Sequence, residues 1–203
     1  MNDEPEARDV LDALPPVTGD QLRALHDRLA ARADAQGLLD VAYRTLETPV
    51  GPLLLAATAR GLVRVAYDTE NHDHVLTILG RQLSPRILSA PHRLDPAARE
   101  IDEYFAGRRR EFDLPLDFSL AHGFRLTVLS HLAGIAYGRT ASYGAVAAAV
   151  GHPKAVRAVG TACATNPLPV VVPCHRVVRS DGSLGGYLGG LAAKRALLAL
   201  EAA

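Results

Sequence analysis

The sequence predicts an α/β protein in two domains. An N-terminal antiparallel sheet with helices is followed by a mostly helical C-terminal domain that carries a helix-turn-helix and is winged-helix-like in form. Three observations predict it. Between Asp40 and Tyr67, short β-rich runs alternate with Gly and Pro turns, as strands of a meander do. Beyond Glu111, apolar residues recur at helical spacing, and a glycine-containing break divides two short helices. The 203 residues are 48% hydrophobic and 22% charged, enough to bury one sizeable core or two small ones and incompatible with a chain dominated by disorder.

The chain opens on a polar, proline-punctuated lead over residues 1–16. Thr18-Gly19-Asp20-Gln21 has the form of a capping box, with Thr at the N-cap and Gln three residues on. It opens an amphipathic helix through Leu22, Leu25 and Leu29 that ends near Gly37, and residues 1–37 are read as an accessory helical extension. From Asp40 the period changes. Val41-Ala42-Tyr43-Arg44-Thr45-Leu46, Leu53-Leu54-Leu55-Ala56-Ala57-Thr58 and Leu62-Val63-Arg64-Val65-Ala66-Tyr67 read as a three-stranded antiparallel meander. Helical pattern follows over 75–83 and 97–105, and Gly107-Arg108-Arg109-Arg110 forms a loop that closes the N-terminal α/β domain, 38–111. His72 and His74 would point to opposite sides of an extended chain and share no helical face, so they and His26 and His92 are read as solvated loop histidines, with no metal site.

The C-terminal domain, 112–203, begins with Phe124, Val128 and Leu132 at four-residue spacing on a helix ending near Ile135. Tyr137-Gly138-Arg139-Thr140 turns the chain, and Ser142 is the N-cap of a short helix over 143–150. Gly151-His152-Pro153-Lys154 separates it from a second helix over 155–164. A plain helical hairpin shares this pattern with a helix-turn-helix. The second helix favours the latter: Ala158, Gly160 and Thr161 are small residues around one cation, Arg157, as in a helix that must approach a DNA groove closely. A recognition helix of the usual kind would instead carry several long polar side chains to read base edges. Net charge is zero, but residues 1–112 carry 14 Lys and Arg against 18 Asp and Glu, whereas residues 113–203 carry 8 against 4. That asymmetry is compatible with nucleic-acid contact and does not require it.

The chemistry centres on Asn166-Pro-Leu-Pro-Val170-Val171-Val172-Pro173-Cys174-His175-Arg176-Val177-Val178. The β-branched run reads as a buried strand with the thiol at its rigid end. A free cysteine is only a few per cent thiolate near neutral pH, and His175 and Arg176 are both candidates to lower its pKa. An inert core cysteine is the competing reading, since free cysteine is commonly buried. The adjacent His-Arg, the flanking prolines and the glycine-rich stretch that follows favour the nucleophile. Cys163, with nothing beside it to activate it, is read as structural. Two cysteines outside any C-x-x-C pair build neither a disulfide framework nor a cysteine-rich zinc site. No apolar run is long enough to span a bilayer, and the first residues, Met1-Asn2-Asp3-Glu4-Pro5, are acidic where a secretory signal is basic, so a cytoplasmic protein is expected.

Thr140-Ala-Ser-Tyr-Gly, Arg157-Ala-Val-Gly, Asn166-Pro, Pro173-Cys-His-Arg-Val, Gly185-Gly-Tyr-Leu-Gly-Gly-Leu and the closing Lys194, Leu197, Leu198 and Glu201 occur in one order. Together they resemble the O6-alkylguanine-DNA alkyltransferases, the methylated-DNA-protein-cysteine methyltransferases. The likeness is dense in the C-terminal half, and residues 40–110 look like that family's more variable N-terminal domain. The resemblance implies DNA repair by direct reversal: O6-alkylguanine, with O4-alkylthymine as a second candidate, is flipped from the duplex and its alkyl group passes irreversibly to Cys174. Each molecule then acts once. It further implies His175 as general base through a bound water, Glu201 holding the other imidazole nitrogen, Asn166 tying together the turns that present the thiol, and Tyr143 donating to guanine N3.

In the same family Arg157 takes the place of the flipped base, and Tyr143, Ala158, Gly160 and Thr161 meet the DNA, the helix lying in a minor groove about 6 Å wide. Gly185, Gly186, Tyr187, Leu188 and Gly189 wall the base pocket, with Val177 beneath. Two positions depart from the family's pattern. Leu188 stands where a small residue is common, which narrows the alkyl pocket, and Ala164-Thr165 lacks a basic residue found before Asn166 in some members. The implied partner is double-stranded DNA, bound by a monomer with no cofactor and no membrane. Two readings compete. Alkyltransferase-like sensors bind lesions without a cysteine, which Cys174 opposes, and a cysteine hydrolase on an unrelated fold leaves Arg157 and the helix-turn-helix unexplained.

Overall fold

A computed structural model describes residues 18–202, so the expected polar lead over 1–16 lies outside the described residues. The chain divides into two compact units between Leu38 and Leu39. In the first, helix α1 (Gly19–Ala35) starts at the expected capping box: Gln21 N–H donates to Thr18 Oγ1 at 3.2 Å, and Thr18 N–H donates to Gln21 Oε1 at 2.9 Å. Its leucines at positions 22, 25 and 29 are exposed.

The second unit begins with the meander. β1 (Val41–Leu46), β2 (Leu53–Thr58) and β3 (Gly61–Tyr67) pair antiparallel as read. A fourth strand, β4 (Ile87–Ser89), adds parallel to β1 and completes the order β3-β2-β1-β4. The expected sheet had three strands, because a three-residue segment shows no period of its own. Residues 53–57 of β2 are all buried, so both faces of the central strand are covered and its apolar run is continuous rather than alternating. Helix α2 (His72–Gln82) lays Val75 and Leu79 on Val41, Leu54, Ala56, Val63 and Ala66. His72 and His74 are therefore first-turn helical residues and not loop histidines: Asn71, in a left-handed conformation at φ 58°, caps the helix by accepting from His74 N–H.

Helix α3 (Asp95–Phe105) opens with Pro96, which fits a first turn whose N–H groups have no helical partner. Ala97, Ala98, Ile101 and Tyr104 form its buried face, and this spacing carries Tyr104 into the interior. The edge of the sheet is not left open. Leu62 N–H donates to Pro115 O at 2.8 Å, and Val65 N–H donates to Pro167 O at 2.8 Å. β3 thereby grips the loop that leads to Cys174.

The C-terminal half is helical. α4 (Gly123–Leu132) buries Val128, Leu129 and Leu132 and ends three residues before the expected Ile135. α5 (Tyr143–Ala149) is capped as read, Ser142 Oγ accepting from Ala145 N–H at 3.0 Å, and α6 (Val156–Ala164) completes the helix-turn-helix. Between Ser142 and the cysteine loop lies a short parallel pair, β5 (Ala141–Ser142) with β6 (Val177–Val178), in the register Ala141↔Val177. α7 (Gly190–Glu201) ends the described chain.

The run Val170-Val171-Val172 is not the expected strand. It is a turn, closed by Val172 N–H donating to Leu168 O at 2.7 Å. Pro167, Pro169 and Pro173 have no N–H for a ladder, and Val170 sits at φ 72°, a conformation that costs a β-branched residue about 1–3 kcal/mol. Its apolarity reports burial: Leu168, Val170 and Val172 are wholly enclosed.

Candidate active site

Cys174 opens a 3₁₀ turn, Cys174–Arg176, and is 1% exposed. Asn166 ties its surroundings together. The Asn166 Nδ2 group donates to Val172 O at 2.8 Å and to Cys174 Sγ at 3.1 Å, while Oδ1 accepts from Leu168 N–H at 2.9 Å. One buried amide thus closes the turn and touches the sulfur. Burial pushes the thiol up to about 11, against the opposing pull of Asn166 and the nearby charge of Lys194. At rest the sulfur is therefore a protonated thiol. A sulfur in this state can act as a nucleophile only with a base to take its proton, since the nearby charge of Lys194 does not lower it far enough.

His175 is fully buried, and its Nε2 lies 2.8 Å from Glu201 Oε1. Burial lowers its pKa, with Glu201 opposing, so near neutral pH the ring is uncharged. With Nε2–H donated to the carboxylate, Nδ1 is the basic nitrogen; it is buried without a protein partner. Arg176 does not serve the thiol as expected. Its Nε donates to Glu201 Oε2 at 2.9 Å, its Nη2 to Glu201 Oε1 at 2.8 Å and its Nη1 to Ile135 O. A planar guanidinium matches a carboxylate at two oxygens, and that geometry turns Arg176 towards Glu201.

Glu201 takes more bonds still. Tyr104 O–H donates to Oε1 at 2.7 Å and Gly138 N–H to Oε2 at 3.2 Å. Burial alone would raise its pKa, but the bonds from His175, Arg176 and Tyr104 prevail and hold it at about 2. Such a carboxylate does not take the imidazole's proton. It orients the ring and stabilises the charged form. The cation whose charge bears on the sulfur is Lys194, wholly buried on α7, with Nζ donating to Val177 O at 2.6 Å.

An open cleft of about 600 Å³ lies alongside, lined by Tyr143, Gly160, Arg179, Gly185, Tyr187 and Leu188 among others. The β5–β6 register sets Tyr143, first residue of α5, next to the strand that follows Cys174. Burial raises the Tyr143 pKa, with the sulfurs of Cys163 and Cys174 adding to it, so the phenol is a donor at neutral pH. Gly185 passes so close that a Cβ would stand 2.3 Å from Tyr143 Oη, and at Gly189 it would stand 2.6 Å from the ring of Tyr67. Those two glycines let the loop lie flat against both tyrosines. Tyr67, from β3, meets Tyr187 hydroxyl to hydroxyl at 2.9 Å.

On the helix-turn-helix, Arg157, Ala158 and Thr161 are exposed and Gly160 faces the cleft. Cys163 is buried on the inner side of α6, its thiol pushed up to about 12 by burial, as a structural cysteine would be. The structure thus brings Cys174, His175, Glu201, Asn166, Tyr143 and Val177 to one place, with Tyr187 and Leu188 on the cleft wall. Tyr104, Tyr67, Arg179 and the position of Lys194 were not foreseen. For Lys194 a signal existed, since Lys194, Leu197 and Glu201 share one helical face with the buried apolar residues of α7.

Two family models match the chain: the 6-O-methylguanine DNA methyltransferase ribonuclease-like domain over residues 41–118 and the DNA binding domain of the same name over residues 123–203. A methylated-DNA–protein-cysteine methyltransferase of Mycobacterium bovis is 40% identical over 78% of this chain and 91% of its own length. The inducible one of Bacillus subtilis is 38% identical over 72% of this chain and 82% of its own. Among solved structures, Mycobacterium tuberculosis OGT in complex with DNA is similar with a TM-score of 0.67 at 39% identity, covering 79% of this chain and 92% of that one. The chain belongs to the 6-O-methylguanine DNA methyltransferase family.

Proposed function

We propose that this protein repairs alkylated DNA by direct reversal, accepting the alkyl group of O6-alkylguanine on Cys174. The observation that carries the reading is the buried thiol beside Asn166 together with a neutral His175, held at one nitrogen by Glu201 and free at the other. His175 Nδ1 takes the thiol proton through a bound water as the sulfur attacks the alkyl carbon. The S–C bond forms, the C–O6 bond breaks, and the electron pair returns to guanine, where the Tyr143 hydroxyl donates to N3 and steadies the developing charge. The product thioether has no route back, so each molecule acts once. The acceptor is part of the chain, and the reaction calls for no cofactor. O4-alkylthymine carries its alkyl group on a comparable exocyclic oxygen and is a second substrate candidate.

The target atom lies inside the duplex, and rotating its nucleotide out costs a few kcal/mol, less for a poorly paired alkylated base. α6 enters the minor groove through Ala158, Gly160 and Thr161, and Arg157 fills the stack. Gly185, Gly186, Tyr187, Leu188 and Gly189 hold the base in the cleft, where Leu188 narrows the space for the alkyl group. The protein works as a cytoplasmic monomer; none of the described helices is long and apolar enough to cross a membrane. Residues 1–37 are an accessory extension, 38–111 the N-terminal domain and 112–203 the domain that binds DNA and accepts the alkyl group. The sensor alternative is disfavoured because the acceptor thiol is in place.

Intact mass after incubation with a duplex carrying O6-methylguanine tests the reading. A gain of one methyl is expected; tight binding without a mass change would reveal a sensor, and indifference to the lesion would sink both. Arg157→Ala separates extrusion from chemistry. It should slow repair of the duplex by about tenfold or more, while reaction with free O6-benzylguanine, which has no stack to leave, stays near the parent rate. Equal losses on both substrates would remove Arg157 from the flipping role.

A further inference from the structure

The acid that orients His175 is held from the other half of the protein. Tyr104 belongs to α3 and lies 97 positions from Glu201, yet its hydroxyl donates to the very oxygen, Oε1, that meets His175 Nε2. Its side chain is fully enclosed, with Phe105, Phe112 and Tyr137 against its ring. We propose that Tyr104 is a positioning residue for the alkyl transfer: through Glu201 it sets how firmly His175 is held and how readily its free nitrogen takes up a proton. This rests on the alkyl-transfer reading above.

The argument is one of competition at a single oxygen. Oε1 accepts from His175, Tyr104 and Arg176 together, and each donor draws on the same negative charge. A carboxylate that satisfies three donors supports an imidazolium less than one that satisfies two. The other groups that bear on the ring are fixed. Arg176 on the 3₁₀ turn and Lys194 on α7 both disfavour its protonation, Glu201 favours it, and Tyr187 from the glycine-rich loop stands edge-on at 6.4 Å between ring centroids. Around Tyr104, Arg176 and Tyr137 complete the charged and titratable neighbours. Among the described residues before position 112, Tyr104 is thus the one whose side chain hydrogen-bonds Glu201. It is also the one that can be removed without stripping a charge: Phe fills the same space, and Oε1 keeps two donors.

The test uses the full chain and two readouts. The first is the titration of the His175 ring followed by NMR, in the parent and in Tyr104→Phe. The expected result is an upward shift of about half a pH unit in the variant, the size of one hydrogen bond withdrawn from a carboxylate. The second is the pH dependence of free O6-benzylguanine dealkylation, whose acid limb follows loss of the proton from His175 and should move to higher pH by the same amount. A merely structural tyrosine would lower the melting temperature and leave both titrations where they are, and that result overturns the proposal. Should Tyr104→Phe fail to fold, 3-fluorotyrosine at position 104 decides. Its more acidic hydroxyl donates more strongly and should move both titrations the other way; unmoved titrations overturn the proposal. A parent protein that takes up no alkyl group would sink the reaction, while the His175 titration would still decide the role of Tyr104.

Discussion

Cys174→Ser is expected to take up no methyl group from a duplex carrying O6-methylguanine, as read by intact mass, while binding the same duplex about as tightly as the parent. Serine is close in size, and the site that holds it is built by Asn166 through bonds to Val172 and Leu168 that do not involve the sulfur. The fold around residue 174 should survive. The chemistry should not, because a hydroxyl has a far higher pKa than a thiol already pushed up to about 11, and a neutral imidazole cannot strip it. Methyl transfer retained by the variant would remove Cys174 as acceptor. Transfer to Cys163 is not a credible escape, since that thiol is buried on the inner side of α6 with nothing hydrogen-bonded to it that would favour a thiolate.

Much of this site could be read from local pattern, and the limits of that reading are physical. Cys174 and His175 are adjacent in sequence, so their chemistry was legible without a fold. Thr18 and Ser142 announced helix starts because a cap is a contact over three residues. The meander was legible because its turns are short and rich in Gly and Pro. β4 was not, since Ile87–Ser89 owes its conformation to pairing with β1, more than forty residues earlier. The run Val170-Val171-Val172 misled for a different reason: β-branched residues signal both strand and burial, and here the prolines on either side leave only burial. Arg176 was read by its neighbour in sequence, the thiol, when its planar donors were matched to a carboxylate 25 positions on. Tyr104 lay beyond any local signal, because its value depends on a single hydrogen bond across 97 positions.

Glu201→Gln tests the other end of that network, and two effects are expected. The first is on stability. Glu201 is the buried counter-charge of Arg176, and removing one member of a buried ion pair typically costs about 3–5 kcal/mol because the remaining charge is left uncompensated. Glu201 is held at about 2, below its ordinary 4.5, so its contribution is fully present above about pH 4.5 and is lost as pH falls towards 2. The stability gap between parent and variant should therefore be widest near neutral pH and close on acidification, as followed by denaturant unfolding. The second effect is on rate. Glutamine keeps the shape but not the charge that favours imidazolium, so His175 becomes a weaker base and O6-benzylguanine dealkylation comes to depend on direct ionisation of the thiol, which moves its pH profile to higher pH. The loss should be greatest near neutrality and partly recovered in alkali. Thermal unfolding of the variant, measured alongside, separates this from fraying of α7, on whose last turn Glu201 sits. A variant that is folded at the assay temperature yet keeps the parent's pH profile would take Glu201 out of the proton path and leave it as the anchor of Arg176 alone.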